Sequence, residues 1–414
     1  MSLRGLSIAL LLCLCADAAW RWGDSSAVVT PPRFAVTPSP DPVLQCAPPL
    51  IWQQGRLSMP ADTPAAHAST LVALDDRHPL AAHKSMVAFW FAGTRESGSD
   101  VGIAAATYDR QQANWDAAQW VVTRDMLQAQ LGVAVRRIGN PVAWRDVDGR
   151  LHLYVVATGL GGWAASRVVH LVEAPADSAA TSLLFVADRI LPLMPLATWF
   201  NTSTLVRALP QPLDDGGALV PMYFELGTKY GLAVRVGPRG ELRDVRRMTA
   251  RRDVLQPTVV ATSPTDAVAL MRDSGPQQRV AWSRTEDGGI HWQDQVEASV
   301  GNPDSSLAAV RLPSGEWWVA HNPLAERRSV LLISRVRDLK DDWTSTVLAR
   351  GEEGSEYSYP SMVWLDKPPT EWRANTRGSH TSEVWVSYTD RRQAIAYARL
   401  VVNCQSAPTK GRTP

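Results

Sequence analysis

The stretch TEDGGIHW, residues 285–292, reads as a turn with its own fastener. Asp287 can accept hydrogen bonds from turn amides and from the Thr285 hydroxyl. Gly288 and Gly289 can take positive φ, and Trp292 can pack beneath the loop. A calcium loop is excluded, because too few carboxylates are spaced along the stretch and no glutamate closes it. The motif is therefore structural, and it serves as a ruler for what surrounds it.

The surroundings recur. VALMRDSGPQQRVAWSRTEDGGIHW (268–292) is a strand, a polar turn, a second strand and a polar loop ending in tryptophan. The same order appears in MVAFWFAGTRESGSDVGIAAATYDRQQANW (86–115) and in WWVAHNPLAERRSVLLISRVRDLKDDW (317–343). The Asp-to-Trp step is five residues at Asp287–Trp292 and Asp338–Trp343, and six at Asp109–Trp115. Further alternating runs (RLHLYVVATG, ALVPMYFELG, EVWVSYTD, AIAYARLVV) are bounded by turn signals, and TRDMLQAQLGV is the best helical candidate. An all-β chain repeating at about fifty residues predicts a β-propeller, with six or seven blades in roughly 360 residues.

Bulk properties narrow the function. The 414 residues carry a formal net charge of +1, which gives no electrostatic footprint for nucleic acid. At 45% hydrophobic and 20% charged the composition is that of a globular protein. Seventeen tryptophans outnumber eight tyrosines and six phenylalanines, which suits a β core and also sugar stacking. No His or Cys pair has metal-ligand spacing, so neither metal nor cofactor is expected, and the chain reads as a monomer.

At the N-terminus, MSLRGLSIALLLCLCADAAW has the proportions of a secretory signal peptide, with Ala16-Asp17-Ala18 as cleavage pattern. An uncleaved anchor, or lipid attachment at Cys13 or Cys15, is the minor alternative. The expected organisation is a signal peptide at 1–18, a Pro-rich unstructured leader at 19–46, a propeller at 47–404 and a disordered tail at 405–414. Export, to the periplasm or beyond, would leave Cys46 and Cys404, which can pair in an oxidising compartment. Free thiols are the alternative.

Several ordered stretches together resemble the BNR-repeat (Asp-box) sialidase-like family: WFAGTRESGSDVGI (90–103), RIGNPVAW (137–144), TGLGGWAAS (158–166), WFNTSTLVR (199–207), VPMYFELGTKYG (220–231), LQPTVV (255–260), NPDSSLAAVRL (302–312), HNPLAERR (321–328) and EYSYPSMV (356–363). TEDGGIHW resembles that family's Asp box. The resemblance implies a six-bladed propeller with its site at one end of the central tunnel. It also implies a chemistry in which guanidinium forks grip a substrate carboxylate while a tyrosine attacks the anomeric carbon.

Carried over residue by residue, the resemblance gives Tyr359 as nucleophile, with Tyr357 as second choice, and Asp100 as acid/base beside Arg95. Arg272 or Arg279 matches the second anion-binding arginine, and Arg327 or Arg328 the third. Glu225 could supply a further carboxylate, and Lys229 a further cation. Two positions depart from the pattern. His67 stands where the first arginine belongs, and Gln256 where the base glutamate belongs. A glutamine cannot take a proton from a tyrosine. Asn201 opens the sequon NTS (201–203) but by family context faces the site. His321 reads as a turn residue. Three functions follow: hydrolysis of an acidic sugar or polysaccharide, silent glycan binding in polysaccharide assembly, or uronide elimination with His67 and Tyr359 moving protons.

Overall fold

The computed structural model describes residues 31–36, 44–159, 162–175, 183–191, 203–366 and 379–406, with Gly5, Leu12 and Cys15 besides. Among these, six antiparallel sheets follow one another along the chain. Their innermost strands are Ala65–Ala73, Arg137–Arg145, Thr204–Val206, Val254–Ala261, Ala308–Arg311 and Tyr357–Leu365. Each inner strand packs beside the next blade, and the sixth blade returns to the first, so the ring closes as a six-bladed propeller. The blades pack through alternate side chains, as period-2 patterning requires: Trp90 and Trp385 are fully buried between blades I and VI, and Trp318 is fully buried in the cluster shared by blades V and VI. The helix Arg124–Leu131 forms where its sequence pattern places it. Thr123 caps it by accepting from the Met126 amide, and Gly132 ends it at φ 65°.

Closure uses both ends of the chain. Leu44–Cys46 and Leu50–Arg56 both pair with Ala394–Ser406, completing blade VI from the N-terminal side. Cys46 and Cys404 form a disulfide across this pairing, closing a sequence separation of 358 residues. In the chain-entropy view such a bond stabilises by roughly 5 kcal/mol. The propeller thus begins at Leu44, inside the expected leader.

The leader departs from expectation in a second way. Residues 31–36 dock onto blades III and IV. The Phe34 amide donates to the Pro264 carbonyl (2.8 Å) and the Asp214 amide to the Arg33 carbonyl (2.9 Å), while the Phe34 ring is buried among Leu213, Leu219 and Val259. This strap lies on the TEDGGIHW turn. A Cβ at Gly288 would stand 1.8 Å from the Pro32 carbonyl oxygen, so glycine is needed there for contact as well as for its φ of 76°. The turn itself is as the sequence predicts: Asp287 accepts from the amides of Ile290 (3.1 Å) and His291 (2.9 Å), and Trp292 Nε1 donates to the Gly289 carbonyl (2.9 Å). Asp109 and Asp338 cap their own turns in the same manner.

Residues 1–18, expected from the sequence to be a signal peptide, lie outside the described residues apart from Gly5, Leu12 and Cys15, as do the tail from 407 and Asn201. No helix among the described residues is long and apolar enough to cross a membrane.

Candidate functional site

In each blade the inner strand runs away from one end of the tunnel, and the turn between the second and third strands returns to that same end. Side chains from these two places per blade build the mouth. At or just before the start of its inner strand every blade holds one non-glycine residue with left-handed backbone: Ala68 (φ 52°), Asn140 (44°), Ser203 (63°), Gln256 (50°), Asp304 (53°) and Tyr359 (54°). In four blades this residue sits in a break of pairing register: between His67 and Thr70, Gly139 and Val142, Leu255 and Thr258, and Ser358 and Ser361. A bulge of this kind re-aims a side chain, and left-handed backbone costs energy for a bulky residue. Gln256 and Tyr359 are thus turned out of the strand alternation and toward each other's neighbourhood.

Tyr359 is the centre. Arg272, at the end of the second strand of blade IV, donates to the Tyr359 hydroxyl (3.3 Å) and to the Gln256 amide oxygen (3.3 Å). Its Nε pairs with Asp304 at 2.6 Å. Burial works against its charge, but Tyr359 and Asp304 outweigh burial and raise its pKa. The Arg328 guanidinium lies 5.6 Å from the Tyr359 ring centroid and pairs with Glu356 at 2.8 Å. Glu356 also receives Arg392 Nε at 2.5 Å and the Ser358 hydroxyl at 2.6 Å. Although burial alone would raise it, these partners bring the Glu356 pKa down to about 2. Arg392 in turn pairs with Glu96, which joins the 94–100 loop of blade I to the mouth.

Beneath the phenol lie two further groups. The His67 ring is 4.3 Å from the Tyr359 ring and is almost fully buried, with neither nitrogen hydrogen-bonded. Burial brings its pKa down to about 3, so it is neutral. Arg207, which ends the inner strand of blade III, crosses the tunnel: it donates to the carbonyls of Ser69 (3.1 Å), Tyr359 and Pro360 (3.1 Å).

Within several pairs the two alternatives lie in different surroundings. Arg272 reaches the mouth, whereas Arg279 is exposed and bonds the Ser299 carbonyl. Arg328 faces Tyr359, whereas Arg327 is exposed. Tyr357 packs against Tyr388. Glu225 and Lys229 occupy the blade III turn at the same end; burial raises the Glu225 pKa in spite of Lys229 and Arg272. His321 is buried and bonds Ser334 at 2.7 Å. Arg95 and Asp100 are not drawn in. Both are exposed, and Asp100 spends its carboxylate on the Thr94 amide (2.7 Å) and hydroxyl (3.0 Å), which hold its pKa low.

Sequence reading missed Arg207, Arg392, Glu356, Asp304 and Glu96. Arg207 and Glu356 stand in stretches that carried the family resemblance, and an arginine directly after the apolar run TLV was the available signal for the first. Arg392 sits within the 391–393 hairpin turn, and nothing local marks it.

The BNR repeat-like domain model matches residues 84–369, more than half of the chain. The chain belongs to the BNR repeat-like family. Among solved structures, this BNR protein is similar to a protein of unknown function from Dyadobacter fermentans, with a TM-score of 0.61 and 12% identity over 87% of this chain and 99% of that one. It is also similar to the NanB sialidase from Streptococcus pneumoniae, with a TM-score of 0.55 and 10% identity over 86% of this chain and 70% of that one. Both likenesses concern the fold. A search of curated proteins gives no match.

Proposed function

We propose that this BNR propeller takes an acidic sugar at the Tyr359 mouth and cleaves its glycosidic bond. The observation that carries the reading is the convergence of Arg272 and Arg328 on one phenol from separate blades. Guanidinium forks suit a carboxylate, and Asp304 and Glu356 hold the two arginines in position beside the phenol. Tyr359 attacks the anomeric carbon, since a neutral nucleophile avoids repulsion with the substrate carboxylate. Glu225 protonates the leaving oxygen: its raised pKa fits a general acid, whereas Asp100, held low by its own loop, does not. The bond broken is the glycosidic C–O bond and the bond formed is phenol oxygen to sugar carbon; the phenol proton passes to water in the mouth, since Gln256 cannot take it, and a second water, giving its proton to the Glu225 carboxylate, later releases the sugar.

Gln256 favours a second reading. The amide lies between Tyr223 (3.4 Å) and Arg272 (3.3 Å), where a base would be needed to take the phenol proton. With no base there, the same mouth would hold an acidic glycan without cleaving it. Elimination through His67 is disfavoured, because both ring nitrogens are covered. Export is part of the proposal, supported by the N-terminal pattern and the Cys46–Cys404 disulfide.

Trapping decides between hydrolysis and silent binding. A fluorinated acidic sugar with a good leaving group should add one sugar mass to the peptide bearing Tyr359. Binding without adduct, unchanged after Tyr359→Phe, would establish the silent reading.

A further inference from the structure

The tunnel has a second end. Away from the mouth, the inner strands of blades III to VI line a cavity of about 530 Å³, within the range of small-molecule sites. Its walls are mostly apolar, with Leu209, Leu307, Val310 and Met362 among them, and Val36 of the strap lines it as well. Arg207 is among its lining residues, with its guanidinium 5.4 Å from the Tyr359 ring centroid.

Arg207 is in an unusual position for a cation. It is 3% exposed, and its Nε has no hydrogen-bond partner. Its other donors meet only main-chain carbonyls, and among the described residues no carboxylate pairs with it. Burial lowers its pKa only to about 10, so it keeps its charge at neutrality. A buried charge without a counter-ion is costly, and an anion entering the cavity would offset that cost. Arg311, also on the cavity wall, has a second orphaned Nε.

We propose that this rear cavity is a binding site for a small organic anion with an aliphatic body, its carboxylate seated on Arg207 and its chain along the apolar inner strands. The charge sets the head, the walls set the tail, and the site is separate from the acidic-sugar mouth.

Isothermal titration of the full chain with sodium decanoate tests this. One molecule should bind per chain, at least tenfold more tightly than decanol or acetate. Ala208→Phe places a ring in the cavity from a half-buried position outside the core clusters and should abolish binding. Arg207→Gln should weaken it at least tenfold, and Arg272→Gln at the mouth should leave it unchanged. If Arg207→Gln does not fold, Ala208→Phe and the decanol comparison still decide. Absence of heat at millimolar decanoate, equal binding of decanol, or full binding by Ala208→Phe would overturn the proposal.

Discussion

The TEDGGIHW turn and the Tyr359 mouth are both clusters of polar groups on the same propeller, and they are built in opposite ways. In the turn, Asp287 finds Thr285, Ile290 and His291 within four residues of itself. In the mouth, the Tyr359 hydroxyl meets Arg272 from 87 residues away, and Glu356 meets Arg392 from 36 residues away. The turn fastens one blade, whereas the mouth exists only when the blades have closed into a ring. Changes in the turn should therefore act on stability alone, and changes in the mouth on binding or on its acid response.

The largest expected effect is at His67. Its pKa is about 3 in the folded protein and near 6.5 unfolded, so between those values the unfolded chain binds the extra proton. Stability is free of this cost above pH 6.5 and falls as pH drops toward 3. The loss amounts to about 3 kcal/mol by pH 4, at 1.36 kcal/mol per pH unit. His67→Leu should flatten that slope in denaturant titrations at pH 7, 5.5 and 4, whatever it costs in packing at pH 7. A variant with the wild-type slope would show that His67 is not held neutral.

Arg272→Gln comes next. Losing one fork from the anion site should weaken acidic-sugar binding about a hundredfold, some 3 kcal/mol, as for a desolvated charged contact. An unchanged affinity would remove Arg272 from the site. Glu356→Gln leaves two guanidiniums without their shared carboxylate and should cost about 2 kcal/mol at neutral pH. Because the folded pKa is depressed from 4.5 to about 2, this contribution is present above pH 4.5 and vanishes as pH falls toward 2. The difference between wild type and variant should shrink over that window, and a difference constant with pH would contradict the ion-pair account. The smallest effect is at the turn. Asp287→Ala should cost about 1–2 kcal/mol in chemical denaturation and leave sugar affinity as it was. A loss of affinity there would break the division between fastener and mouth.

The same division explains what could be read from the sequence. Asp287, Gly288 and Trp292 lie within one hydrogen-bonded loop, so their pattern survives in one dimension and fixes the blade register. From that register Arg272, Arg279 and Gln256 could be located, while Tyr359 and Arg328 came from the resemblance to the sialidase-like family. Arg207 could not, because its partners are carbonyls of other blades, and neither could Arg392, whose carboxylate partners lie 36 residues away at Glu356 and in blade I at Glu96. The docking of residues 31–36 was hidden for the same reason: a Pro-rich segment looks unstructured until the groove that accepts Phe34 has been built. Asp100 misled in the other direction, since a carboxylate beside an arginine suggests chemistry, while a threonine six residues earlier absorbs it.

The central claim is that the mouth around Tyr359 grips an acidic sugar through Arg272 and Arg328. The most direct measurement is calorimetric titration of wild type and the Arg272→Gln, Arg328→Gln double variant with a panel of sialyl, glucuronyl and galacturonyl oligosaccharides and their neutral counterparts. The account predicts that at least one acidic member binds the wild type, that its neutral counterpart does not, and that the double variant loses the acidic ligand. Equal binding of acidic and neutral sugars, or full binding by the double variant, would contradict it.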